Sequence, residues 1–217
     1  MYLLAYPRET RSLDGTWQAI PDQYENFEGY FEDFFDDEDD NPAGFAVKSI
    51  YEPGASEEND PCDFNIHDGR SVSVPSSWGE EIPEFRHYEG WVWYARTFDL
   101  DAAADRTFLR FGAINYKAKV WLNGELLGTH EGGYTPFSFE ATDALEDGEN
   151  VLVVQVDNQR YEDGIPNEAT DWFNFGGINR SVDLVEVPEA YVRNFKVESE
   201  LDDGTVDVSV SAWVDGA

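Results

Sequence analysis

The chain is made of short segments rich in aromatic and β-branched residues, each closed by Gly, Pro, Asn or Asp after roughly ten residues. No stretch holds a 3.6-residue apolar period long enough for an ordinary helix. The clearest segment runs from Trp91 to Phe98 and contains Val92, Trp93 and Tyr94. Ser71 to Val74 alternates until Pro75 stops it. Thr107 to Phe111, Lys117 to Leu122, Glu125 to Thr129, Val151 to Val156 and Val182 to Val187 share the texture. Asn123-Gly124, between two of these, is a hairpin signal because both residues tolerate positive φ. Within a leading segment over 8–20, Asp14-Gly15 reads as a turn before a short strand. The series predicts an all-β fold, an antiparallel β-sandwich or jelly roll.

After Pro188 the pattern restarts, with Tyr191 to Leu201 and Thr205 to Val214 alternating around Asp202-Asp203-Gly204. Two strands alone are marginally stable in water, so this hairpin is expected to open a second β-domain that the chain truncates. The layout is therefore a domain over 1–188 and an incomplete one over 189–217. Residues 22–63 differ in texture. Glu32 to Asp40 holds seven acids among Phe34 and Phe35. A calcium loop starting at Asp37 would need Gly at 42 and Glu at 48, where the chain has Pro42 and Lys48. The stretch reads as an acidic, solvated insertion with aromatic anchors and room for a short helix.

Charge excludes whole classes of partner. Asp and Glu number 46 against 14 Lys and Arg, for a formal net charge of -32. Nucleic acid and anionic membrane surfaces both need positive charge, so neither is a partner. No run approaches the ~18 apolar residues of a membrane helix, and Met1 to Pro7 lacks the basic start of a signal peptide. Molar salt shortens the Debye length to about 3 Å and relieves such self-repulsion. With only four lysines, the composition resembles proteins of salt-loving microbes, and a high-salt cytoplasm is the expected location. The alternative, a mesophilic protein with one acidic insert, fits less well because acids are spread along the chain. Cys62 stands alone between Asp60 and Asp63, so it forms no intrachain disulfide and lacks the positive surroundings of a reactive thiol. The sequon Asn179-Arg180-Ser181 is expected to be incidental.

Little in the chain carries bond-breaking chemistry. His67, His87 and His130 share no metal-ligand spacing, Gly176-Gly177 lacks a phosphate-loop lysine, and no serine occupies a nucleophile elbow. Among 46 acids some pair always resembles a glycosidase pair, so counting acids proves nothing. Recognition remains. The segment Asp171 to Val182 places an acid, three aromatics, two glycines and Arg180 in twelve residues. Aromatic faces with a convergent carboxylate suit sugars, whose C–H patches stack and whose hydroxyls donate. Trp91, Trp93 and Trp121, on alternating strands, read as core packing. The residues alone leave Asp171 open between a loop-closing acid paired with Arg180 and a ligand-binding acid.

Six ordered motifs resolve into a resemblance. They are Leu13-Asp14-Gly15-Thr16-Trp17, Val74-Pro75-Ser76-Ser77-Trp78, Arg86 to Tyr94, Val120 to Gly124, His130 to Phe137, and Asp171 to Arg180. Together they resemble the N-terminal sugar-binding domain of glycoside hydrolase family 2, closest in wording to β-glucuronidases, with β-galactosidases further off. The resemblance covers 8–20 and 71–188 and leaves out 22–63. It implies a galactose-binding-like jelly roll, then an immunoglobulin-like domain, then a (β/α)8 barrel carrying both catalytic glutamates. On that basis the parent is a retaining glycosidase and this chain alone is inactive. Its partners are the terminal sugar of a β-glycoside and the barrel of the same polypeptide, with a homo-oligomer of the full-length enzyme also admitted. Asp171 matches the acid that binds a sugar hydroxyl, and His87 a position near the same pocket. No cofactor is implied, apart from a sodium ion near Asp171 on the β-galactosidase side. Arg180 and the glycine pair match structural positions that give the loop backbone room and a charge partner. A free-standing carbohydrate-binding module is the alternative.

Overall fold

The computed structural model describes residues 8–23, 69–101 and 104–216. Beyond Gln23, the stretch expected as an acidic insertion lies outside the described residues, with its rejected calcium loop and Cys62; so do His67 and the first seven residues. In chain order the strands are β1 Thr10–Ser12, β2 Gly15–Asp22, β3 Arg70–Val74, β4 Trp91–Leu100, β5 Arg106–Phe111, β6 Ile114–Asn115 and β7 Lys117–Leu122. They continue with β8 Glu125–Glu131, β9 Phe137–Glu140, β10 Gly148–Asp157, β11 Gly177–Ile178, β12 Val182–Val187, β13 Tyr191–Asp202 and β14 Thr205–Asp215. One helical turn, α1 (Trp78–Glu81), precedes a 3-10 turn over Pro83–Phe85.

The all-β sandwich expectation holds. A six-stranded sheet has the order β3-β2-β4-β10-β7-β8 and a four-stranded sheet the order β1-β12-β5-β9. Every recorded strand pairing is antiparallel. Trp17, Trp78, Tyr94, Leu109, Phe111, Leu152 and Leu184 belong to the main core cluster, and each such large side chain contributes roughly 1.5–3 kcal/mol by leaving water. The predicted hairpin sits where the sequence placed it: Asn123 (φ 50) and Gly124 (φ 86) join β7 to β8 with both turn residues left-handed.

β10 is buried on both faces from Asn150 to Asp157. Leu152, Val154 and Val156 enter the main core, whereas Val153 and its cross-strand neighbours Ala95 and Trp121 are buried outside it. Trp93 and Trp121 meet there as a tilted ring pair, centroids 5.5 Å apart. They pack, as expected, but away from the main cluster. β1, β6, β9 and β11 went unpredicted. With two to four residues each, they carry too few residues for alternation to show.

β13 and β14 form their own two-stranded sheet. Alternation makes one face apolar, with Phe195, Val197 and Leu201 opposite Ala212, Val210 and Val206; the other pairs Lys196, Glu198 and Glu200 with Ser211, Ser209 and Asp207. Its base is pinned to the sandwich. The Tyr191 ring meets Phe108 edge-on at 5.7 Å, and the Arg106 guanidinium lies 5.2 Å from the Tyr191 centroid while donating to both Glu140 oxygens at 2.8 and 2.7 Å. Arg8 adds a hydrogen bond to the Val192 carbonyl.

Candidate functional site

The segment singled out in the sequence starts in the second half of the loop from β10 to β11 and continues through β11 to the first residue of β12. Its inner side is held by asparagines, whose amides satisfy backbone groups that water would otherwise have to reach. Asn158, fully buried at the end of β10, accepts from Gly90 N at 2.9 Å and donates to Asn174 O at 3.1 Å; the Asn174 amide returns a bond to the Asn158 carbonyl. Asn115 Nδ2 donates to Asn174 Oδ1 at 2.8 Å and to Phe175 O at 3.0 Å. Asn179 donates to Phe175 O at 2.9 Å, so the amide nitrogen of the sequon already serves the fold.

The two glycines make room. A Cβ at Gly176 would lie 2.1 Å from Cζ2 of the buried Trp78, and Gly177 has φ +139. The backbone contacts formed here are the hydrogen bonds from Trp78 N to Gly176 O at 3.1 Å and from Ser76 N to Ile178 O at 2.9 Å, and the pairing of β11 with β6. Backbone room, the role implied by the resemblance, is what the geometry requires of both residues.

The outer side of the loop is fastened by a residue the sequence reading missed. Arg160 Nε donates to both Glu89 oxygens at 2.9 and 3.0 Å, Nη2 to Trp172 O at 2.7 Å, and Nη1 to Thr170 O. Those two carbonyls flank Asp171. Arg180, expected as the loop's charge partner, points elsewhere: Nη1 donates to Tyr134 O at 3.4 Å, and its Cβ packs on Gly112. The physical reason is the glycine pair and β11, which turn the chain before residue 180 and face its side chain away. Nearness in sequence does not survive such a turn. The available signal for Arg160 and Asn158 was polar residues immediately after an apolar strand, where backbone groups need partners.

Asp171 is exposed and, among the described residues, has no hydrogen-bond or ion-pair partner. His87, far earlier in the chain, is exposed on the facing segment and meets the Phe173 ring at 5.3 Å. The two line one cavity of about 260 Å³ together with Arg86, Glu89, Arg160 and Phe173. Trp172 and Phe173, which line it, and Phe175 nearby are exposed rings. The motif at His130 does not reach this cavity; His130 stacks on Phe137 at 3.9 Å, and burial pushes its imidazole pKa down.

The arrangement can bind but lacks what cleavage needs. Glycoside hydrolysis uses two carboxyl groups across the scissile bond. Of the two acids here, Glu89 is occupied by Arg160, leaving Asp171 alone. Among the described residues no three His, Cys, Asp or Glu side chains cluster as metal ligands.

A β-sandwich offering one free carboxylate among exposed aromatic rings has the chemistry of a sugar-recognition domain. The chain belongs to the glycosyl hydrolases family 2, sugar binding domain, whose sequence profile matches residues 45–188. That match begins inside 22–63, so the expectation that this whole stretch falls outside the family is corrected from Phe45 onward, where the acids thin out. A β-galactosidase of Thermoanaerobacter pseudethanolicus is 31% identical over 183 residues, covering 79% of this chain and 24% of its own. The β-glucuronidase of Felis catus is 25% identical over 248 residues, covering 98% of this chain and 35% of its own. A Ruminococcus gnavus β-glucuronidase solved with D-glucuronic acid superposes with a TM-score of 0.75 at 26% identity, covering 100% of this chain and 36% of that one. The chain thus spans about a third or less of the length of these relatives.

Proposed function

We propose that this domain forms one wall of the sugar pocket in a retaining β-glycosidase of β-glucuronidase type, with cleavage performed by a catalytic barrel elsewhere in the full-length protein. Asp171 accepts a hydrogen bond from a hydroxyl of the terminal sugar, and His87 and Phe173 shape the wall beside it. One observation carries the reading: Asp171 is unpartnered beside an acid that is fully occupied, and it faces a cavity shared with His87. A carboxylate kept for the fold would be the paired one. The β-glucuronide choice is supported by the wording of the six ordered motifs taken together and by the likeness to an enzyme solved with glucuronic acid. A free-standing binding module is less favoured, because a single open wall leaves most of a sugar in water.

The test is Asp171→Ala in the full-length protein. Losing one polar contact to the transition state is expected to lower kcat/KM on an aryl β-glycoside by about 1–3 kcal/mol, roughly 5- to 150-fold. An unchanged kcat/KM would remove Asp171 from the pocket.

A further inference from the structure

We propose that Arg86 is a second ligand-binding residue of this wall and that it takes an anionic group, a carboxylate or sulfate ester, carried by the glycoside. The inference rests on the functional reading above and extends it to the chemistry of the substrate.

Cations are scarce in this chain, 14 against 46 acids, and its field repels most anions. An arginine left unpaired at a cavity therefore has to be weighed against its neighbours. The cavity has two. The donors of Arg160 are occupied by Glu89 and the Thr170 and Trp172 carbonyls. Among the described residues the Arg86 guanidinium has neither ion pair nor hydrogen bond; it rests 5.8 Å from the centroid of the Phe173 ring. An exposed arginine is most often a solvated surface group, and in so acidic a chain the ordinary outcome is pairing with a nearby carboxylate. Arg86 is exposed but escapes the second outcome: it borders the cavity beside the Phe173 ring with no carboxylate on it among the described residues.

Its root is fixed. The 3-10 turn closes with Arg86 N to Pro83 O at 3.3 Å and is continued by Tyr88 N to Phe85 O at 3.0 Å. The Tyr88 ring packs 6.2 Å from Trp78, and a Cβ at Gly79 would stand 3.1 Å from the Arg86 Cα, so α1 lies directly against this segment. From that root the side chain borders the cavity of Asp171 and a neighbouring concavity lined by Ser77, Pro83 and Phe175. A planar fork of N–H donors matches a carboxylate or sulfate in two-bond geometry, and the Phe173 ring 5.8 Å away lies to one side of it. With Asp171 as acceptor for hydroxyls and Arg86 as donor to an acid, the wall fits a glycoside bearing both groups. The acid could sit on the terminal sugar or on the leaving group.

The experiment uses the full-length protein at one fixed ionic strength, because screening alone changes such contacts. kcat/KM is measured for a neutral aryl β-glycoside, the corresponding aryl β-glucuronide, and the neutral glycoside with a carboxylated aryl leaving group. Dividing mutant ratios by wild-type ratios cancels intrinsic reactivity. Arg86→Gln is expected to lower the charged-to-neutral ratio by about tenfold for one charged substrate, and which one falls locates the anion. Arg86→Lys, which keeps the charge and loses the fork, is expected to fall between, and serves if the glutamine variant does not fold. Ratios for both charged substrates within about twofold of wild type overturn the assignment. If the protein turns over none of the three, the functional reading fails on its own. Arg86 is then judged by melting: protection by D-glucuronate but not D-glucose, lost in Arg86→Gln, supports it, and equal protection overturns it.

Discussion

Arg160→Met isolates what fastens the loop around Asp171. The substitution keeps most of the aliphatic volume and removes every donor. Two kinds of interaction are lost, and their sizes decide the prediction. The pair with Glu89 involves side chains 17% and 34% exposed, and ion pairs at such surfaces are worth about 0–1 kcal/mol. The bonds to the Thr170 and Trp172 carbonyls are charge-assisted, nominally about 1.5–3 kcal/mol each. Trp172 is 63% exposed, so its carbonyl rehydrates readily, and about 1 kcal/mol per bond is the sounder figure. The total is about 2–3 kcal/mol, mostly from the carbonyls. Urea unfolding followed by tryptophan fluorescence measures it, with Glu89→Gln as the control that removes only the ion pair. Glu89→Gln is expected to cost less than about 1 kcal/mol, and molar salt should shrink its effect far more than that of Arg160→Met. Equal losses in the two variants, or less than about 1 kcal/mol for Arg160→Met, would refute the reasoning and return the fastening to the asparagines alone.

Two more outcomes are expected. Gly176→Ala should lower stability by about 2–3 kcal/mol in the same assay, because its methyl would lie 2.1 Å from a buried indole carbon that has nowhere to move. The other concerns acid. Burial lowers the His130 pKa below the unfolded value near 6.5, so the unfolded chain takes up the proton first. That group's contribution is full above about pH 6.5 and is lost as pH falls below it. Unfolding free energies from pH 8 to 5.5 should show this loss, and His130→Gln should flatten the slope there; an unaltered slope assigns the acid sensitivity to other groups.

The strands that carry the sandwich were legible because they are long enough to alternate. Trp91 to Phe98 and Val151 to Val156 are neighbours at the centre of the six-stranded sheet, and the Asn123-Gly124 turn lies where its φ tolerance puts it. The site was half legible. Asp171, His87 and the glycine pair came from motifs, and the structure brings the first two to one cavity. Arg160 and Asn158 did not; their position just after an apolar strand hints that backbone groups there need partners, but it does not say which carbonyls or carboxylate each side chain reaches. Arg180 misled for the converse reason: it stands near Asp171 in sequence and is turned from it in space. Two-residue strands such as β6 and β11 exist only because their partners do.

The pinned base of the β13–β14 hairpin has a mechanical consequence. At about 3.3 Å per residue, the twelve residues of β13 form an arm roughly 40 Å long. Play of about 5° at its foot would sweep the tip through roughly 3 Å, enough to spoil any close fit made along the arm. Tyr191 wedged against Phe108, with Arg106 locked over its ring by Glu140, places stiffness at the fulcrum, where each ångström of freedom is amplified most. Loosening this joint would therefore register at the tip long before it registered in the sandwich.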